Sequence, residues 1–101
     1  MNVYIMTDLE GISGVYGPDF STPDKRRFGE SRELMTADIN ACAAGLKEAG
    51  AGKIYVRDAH GGSYTLLPDK ISDDVDYIVC GATGNDRFPG IDDCGAVILL
   101  G

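Results

Sequence analysis

Two short stretches of the chain combine residue types able to do chemistry with a spacing that would bring them together. The first is Asp8-Leu9-Glu10, followed at once by Gly11-Ile12-Ser13-Gly14. Alternation along an extended backbone sends side chains two apart to the same side. Two carboxylates so placed repel unless something positive lies between them, and a divalent cation is the simplest candidate. The plainer alternative is an acidic turn whose carboxylates accept loop hydrogen bonds. The second stretch is Asp58-Ala59-His60-Gly61-Gly62, which contains the single histidine of the chain. A lone histidine is more often structural than a ligand, but this one repeats the pattern of the first motif: polar residues two apart, then glycines. Asp8, Glu10 and His60 together offer two oxygens and a nitrogen, a set that zinc accepts and that also suits other divalent ions. Asp58 could orient His60 or a bound water from behind the ligands.

These motifs need elements to carry them. Residues 2 to 7 form a short apolar run, read as a buried strand ending at Asp8. From about 30 to 49, Met35, Ile39, Cys42, Leu46 and Ala49 recur every three or four positions, which predicts a helix with one apolar stripe, closed by Gly50 and Gly52. Residues 53 to 57, 76 to 80 and 95 to 100 read as three further strands, and residues 64 to 71 as a short helix or irregular chain. Strand, helix, strand at this spacing implies a right-handed crossover between parallel neighbours. Ligands in such sheets bind outside the carboxyl ends of the strands, where both motifs fall. The last run, Gly95-Ala96-Val97-Ile98-Leu99-Leu100, is the most apolar and is expected to be covered on both faces. One clear helix leaves a face without cover. The expected fold class is therefore α/β, a mostly parallel sheet with a strand-helix-strand crossover, forming an incomplete three-layer domain that a longer chain would finish.

Bulk properties narrow the function. At 101 residues there is room for one domain. A net charge of -7 argues against nucleic-acid binding, which depends on Lys and Arg neutralising phosphates. The one basic cluster, Lys25-Arg26-Arg27, reads as a solvated loop or helix start. Three cysteines, with no CxxC pair, disfavour a disulfide framework or a zinc ribbon and fit a reducing compartment. Cys42 and Cys80 read as small core residues. No apolar window is long enough to span a membrane, and the N-terminus has no signal-peptide pattern, so a cytoplasmic location is expected.

The run Tyr4-Ile5-Met6-Thr7-Asp8-Leu9-Glu10-Gly11-Ile12-Ser13-Gly14 resembles the signature of the bacterial zinc-dependent D-aminopeptidases that act on D-alanyl peptides. Met35-Thr36, Asp58-Ala59-His60 and the stretch from Gly90 to Gly101 resemble that family as well, so the likeness runs in register along the whole chain. The resemblance implies that residues 1–101 are the N-terminal portion of a single α/β domain. It implies a metallopeptidase that hydrolyses short peptides or amides with an N-terminal D-residue by metal-activated water. It implies two zinc ions per active site, with Asp8 bridging them and Glu10 and His60 binding one. It also implies ring-shaped homo-oligomers. In the family a Tyr-His pair follows the Leu-Gly that is here Leu100-Gly101, and its histidine, a later glutamate and a catalytic histidine complete the centre. One set of metal ligands at most is thus expected from this chain, and no further catalytic side chain.

Two rival readings use the same residues. Asp-x-Glu-Gly after an N-terminal strand is similar to the haloacid-dehalogenase-type magnesium phosphatases, with Asp92-Asp93 as a later acidic motif. That reading gives His60 no role. The other is a non-catalytic metal- or phosphate-binding module, with Gly11-Ile12-Ser13-Gly14 and Gly81-Ala82-Thr83-Gly84 as loops around an anion. Neither loop has a phosphate-binding glycine pattern, and the carboxylates beside the first would repel a phosphate.

Overall fold

The structure, a computed structural model, describes residues 1–81 and 85–101, so three residues of the Gly81-Ala82-Thr83-Gly84 loop lie outside the described residues. Four strands form one parallel sheet: β1 (Val3–Thr7), β2 (Ile54–Asp58), β3 (Tyr77–Val79) and β4 (Ala96–Leu100), in the order β3-β2-β1-β4. One long helix, α1 (Phe28–Glu48), joins β1 to β2. Short 3-10 turns occupy Pro18–Phe20, Pro68–Lys70 and Ile91–Asp93. The stretch from 64 to 71 is therefore irregular apart from its single 3-10 turn.

The core lies between α1 and one face of the sheet. Met35, Ile39 and Ala43, four apart on the helix, pack with Ile5, Ile54 and Val56 from the strands. Cys42 and Leu46 are half-buried against the same cluster, whereas Ala49 lies beyond the helix and is exposed. Gly50 closes α1 in a left-handed conformation (φ 91°), with the Gly50 and Ala51 amides returning to the Lys47 and Leu46 carbonyls. That is the bonding of a Schellman cap.

The chain moves from β1 outward to β2 and β3, then returns past both to pair β4 with the other side of β1. If all crossovers are right-handed, the returning connection must cross the face opposite α1. It does: Gly90 lies against the Tyr55 ring, and the Tyr55 hydroxyl donates to Asp93 at 3.3 Å. Tyr4, Tyr55 and Tyr77 stack in register across this second face.

The expectation for the last strand is corrected. β4 is an edge strand, not an enclosed one, and its outward side chains Val97 and Leu99 are 50% and 69% exposed. Ile98 and Leu100 on the other face pack against the core. The reason is topological: apolarity says that a strand wants cover, while strand order decides whether the described residues supply it.

Candidate metal centre

Asp8 follows the last residue of β1, and its backbone is held on one side: its amide donates to the Leu100 carbonyl of β4 at 2.9 Å. On the other side of β1, the Ala59 amide donates to the Thr7 carbonyl at 3.0 Å, and the Thr7 hydroxyl donates to the Arg57 carbonyl. The chain beyond Asp8 is a tight turn rather than an extended strand, with the Ile12 amide returning to the Leu9 carbonyl. Leu9 and Ile12 are buried in the core, so Asp8 and Glu10 are both left facing outward. The two carboxylates share a side as expected, but a turn anchored by Leu9 achieves it. Gly11 (φ 102°) passes so close to Gly101 that a side chain on it would collide with the Gly101 backbone, while one on Gly101 would collide with the backbone of Asp8.

His60 stands two residues beyond β2, the strand beside β1. Its Nδ1 is 2.8 Å from Asp8 Oδ1 and 3.2 Å from Glu10 Oε2. One donor atom from each of Asp8, Glu10 and His60 lies within 4.8 Å of the others. The His60 Nε2 lies 2.6 Å from the Ser21 carbonyl, to which it can only donate. The two carboxylates are 56% and 62% exposed and the imidazole 15%, so the ring is fixed while the site opens outward.

Burial works against the charged imidazole, but hydrogen bonds to Asp8 and the Ser21 carbonyl outweigh it and raise the His60 pKa above its usual value. Burial likewise opposes ionisation of Asp8, yet hydrogen bonding, first of all with His60, holds its carboxyl below the ordinary range. A positive charge is thus favoured among these groups. A zinc ion meets the same demand. Ligands about 2.1 Å from one tetrahedral ion stand roughly 3.4 Å apart; His60 Nδ1 lies 2.8 and 3.2 Å from the two carboxylates, and the three donor atoms fall within 4.8 Å of one another.

Asp58, fully buried, acts differently from a group that orients the imidazole ring. Its Oδ2 accepts the Thr65 amide and, at 2.9 Å, the Leu66 amide, while Oδ1 receives the His60 backbone amide at 3.4 Å. It shapes the loop that carries His60; the ring itself is met by Ser21. Nothing in residue type pointed to Ser21, because the contact is made by a main-chain oxygen. Asp92 and Asp93 lie at the opposite end of the sheet, where the Asp93 carbonyl accepts from Asn2 just ahead of β1, and take no part in the site. Two of the clefts beside the trio adjoin Glu10 and His60. One of about 370 Å³ is lined by Glu10, Tyr16 and Ser21, and one of about 230 Å³ by Pro23, Phe28, His60 and Tyr64.

Comparison with known proteins adds three findings. A family model described as D-aminopeptidase matches residues 1–101. A D-aminopeptidase of Bacillus subtilis (strain 168) is 31% identical over 101 residues, a match covering 98% of this chain and 37% of the relative. The solved structure of the Zn-dependent D-aminopeptidase DppA from Bacillus subtilis, described as a self-compartmentalizing protease, superposes with a TM-score of 0.91 at 26% identity. That superposition covers all of this chain and 37% of the solved one. The chain thus spans a little over a third of the length of the relatives it matches.

Proposed function

The chain belongs to the D-aminopeptidase family, and on that premise we propose that it carries the Asp8, Glu10 and His60 portion of a zinc centre that hydrolyses short peptides or amides bearing an N-terminal D-residue of the D-alanyl type. The observation that carries the proposal is the convergence of these three donors at the carboxyl ends of two adjacent parallel strands. The phosphatase reading loses its support, since its later acidic pair lies at the far end of β1 and the family match spans the chain. Residues 1–101 are, in this reading, the N-terminal portion of one α/β domain. Asp8 is assigned as the ligand shared between two ions, and Glu10 and His60 as ligands of one. The whole protein would be cytoplasmic and assemble into a ring-shaped homo-oligomer, which the description of the solved relative as self-compartmentalizing supports. No helix among the described residues is long and apolar enough to cross a membrane.

Zinc bound here would polarise the scissile carbonyl and lower the pKa of a bound water. The chain's own residues set the conditions for that chemistry. Asp8 and Glu10 supply negative oxygen donors on the open side. His60 presents Nδ1 to them while its Nε2–H is held by the Ser21 carbonyl, which fixes the tautomer a metal ligand needs. The cleft beside Glu10 offers a place for the peptide next to the donors. Elemental analysis of the purified protein tests the reading. About one zinc per chain or more is expected, falling sharply in Asp8→Asn, together with hydrolysis of a D-alanyl peptide in preference to its L-alanyl counterpart. Unchanged zinc content in Asp8→Asn would remove Asp8 from the ligand set.

A further inference from the structure

Arg27, part of the basic cluster expected to be solvated, keeps 30% of its side chain exposed yet is held by several contacts at once. Its guanidinium carbon sits 4.4 Å from the centre of the Phe20 ring and 5.6 Å from that of Tyr16. One terminal nitrogen donates to the Tyr16 hydroxyl at 2.7 Å, while Nε and the other nitrogen form a two-pronged pair with Glu30, each at 2.7 Å. Its backbone amide donates to the Asp19 carbonyl at 3.0 Å. Phe20 is almost fully buried, and its carbonyl accepts from the buried Ser31 hydroxyl of α1 at 2.8 Å. Tyr16 and Phe20 lie 5.1 Å apart, ring to ring. The next residue after Phe20 is Ser21, whose carbonyl meets His60 Nε2.

We propose that Arg27 is a positioning residue for the metal centre: by pinning Tyr16 and Phe20 to the head of α1, it holds the Ser21 carbonyl at His60 Nε2 and so keeps Nδ1 aimed between Asp8 and Glu10. The physical basis is specific. A backbone carbonyl has no side chain of its own to fix it, and the segment from 13 to 27 has no regular structure beyond one 3-10 turn. A planar cation that stacks on one ring, bonds to another and pairs bidentately with a helix carboxylate removes most of that freedom. Lys25 and Arg26 are exposed and, among the described residues, make no comparable set of contacts. Loss of a group that orients a metal-binding histidine typically costs 10- to 100-fold in metal affinity.

The inference rests on the zinc reading above, and its test separates the two. The only histidine of the chain gives a single, unambiguous set of ring N–H signals by NMR. In metal-free protein under mildly acidic conditions, the His60 Nε2–H is expected as a downfield proton protected from solvent exchange. It should be lost or strongly broadened in Arg27→Ala and weakened in Tyr16→Phe. Lys70→Ala, which breaks the Lys70–Glu33 pair on the exposed side of the same helix, should leave it unchanged. Zinc affinity, measured by chelator competition, is expected to fall about tenfold in Arg27→Ala and to hold in Lys70→Ala. An equally protected Nε2–H and equal zinc affinity in Arg27→Ala would overturn the positioning role while leaving the zinc reading intact. Wild-type protein that takes up no zinc would overturn the zinc reading, and the metal-free spectra would still decide whether Arg27 holds the ring.

Discussion

Asp58 accepts backbone amides from His60, Thr65 and Leu66 without any exposure to solvent. Removing such an acceptor leaves buried donors unpaired, at a cost of about 1–3 kcal/mol for each group. Asp58→Ala is therefore expected to lower stability by about 2–4 kcal/mol in urea unfolding, with faster hydrogen exchange at the Thr65 and Leu66 amides. Asp58→Asn, which keeps an oxygen, should lose less. Equal exchange at both amides in Asp58→Ala would show that the loop is held by something else. At this scale the candidate ligands were legible because their types and their two-residue spacing carry the signal. The Ser21 carbonyl was not, since every residue owns such an oxygen and only the fold selects one. Arg27 was missed for a related reason: a short basic run near acids looks alike whether it is solvated or stacked.

Asp76 joins the starts of β2 and β3. Its carboxylate accepts the Ile54 amide at 2.8 Å and pairs with Lys47 of α1 at 3.0 Å. The Ile54 amide, followed by Lys47, holds its carboxyl below the ordinary carboxylate range. A carboxyl whose folded pKa is depressed binds protons more readily when unfolded. Its contribution is present above the unfolded value and is lost as pH falls through the folded one. Thermal melts should therefore show the wild type losing stability below about pH 4 more steeply than Asp76→Asn; parallel acid limbs would remove Asp76 from the account. Among the elements, the long helix was read to within a few residues because its apolar stripe repeats over several turns. The strands were read from short apolar runs, and the parallel pairing of β1 with β2 from the crossover rule; the order of all four came only with the structure. The edge position of β4 was out of reach, because its composition matches that of a strand enclosed on both faces.

For the molecule as a whole, that edge has a consequence in solution. Among the described residues, Val97 and Leu99 stand exposed on a strand with one unpaired side, the arrangement that invites further strand pairing. Leu99→Lys is expected to reduce concentration-dependent association in sedimentation velocity runs, with the far-ultraviolet spectrum unchanged; equal association would locate the contact elsewhere. The strand order carries a different implication, one of timing. β1 leaves the ribosome before the other three strands, yet its partners are Ile54 to Asp58 on one side and Ala96 to Leu100 on the other. Pairings so distant along the chain form slowly. The turn that bears Asp8 and Glu10 must therefore wait through nearly the whole of this stretch of synthesis before its scaffold exists. A nascent chain stalled short of Leu100 would have translated both carboxylates and the histidine, and still lack the bond that sets Asp8 in place.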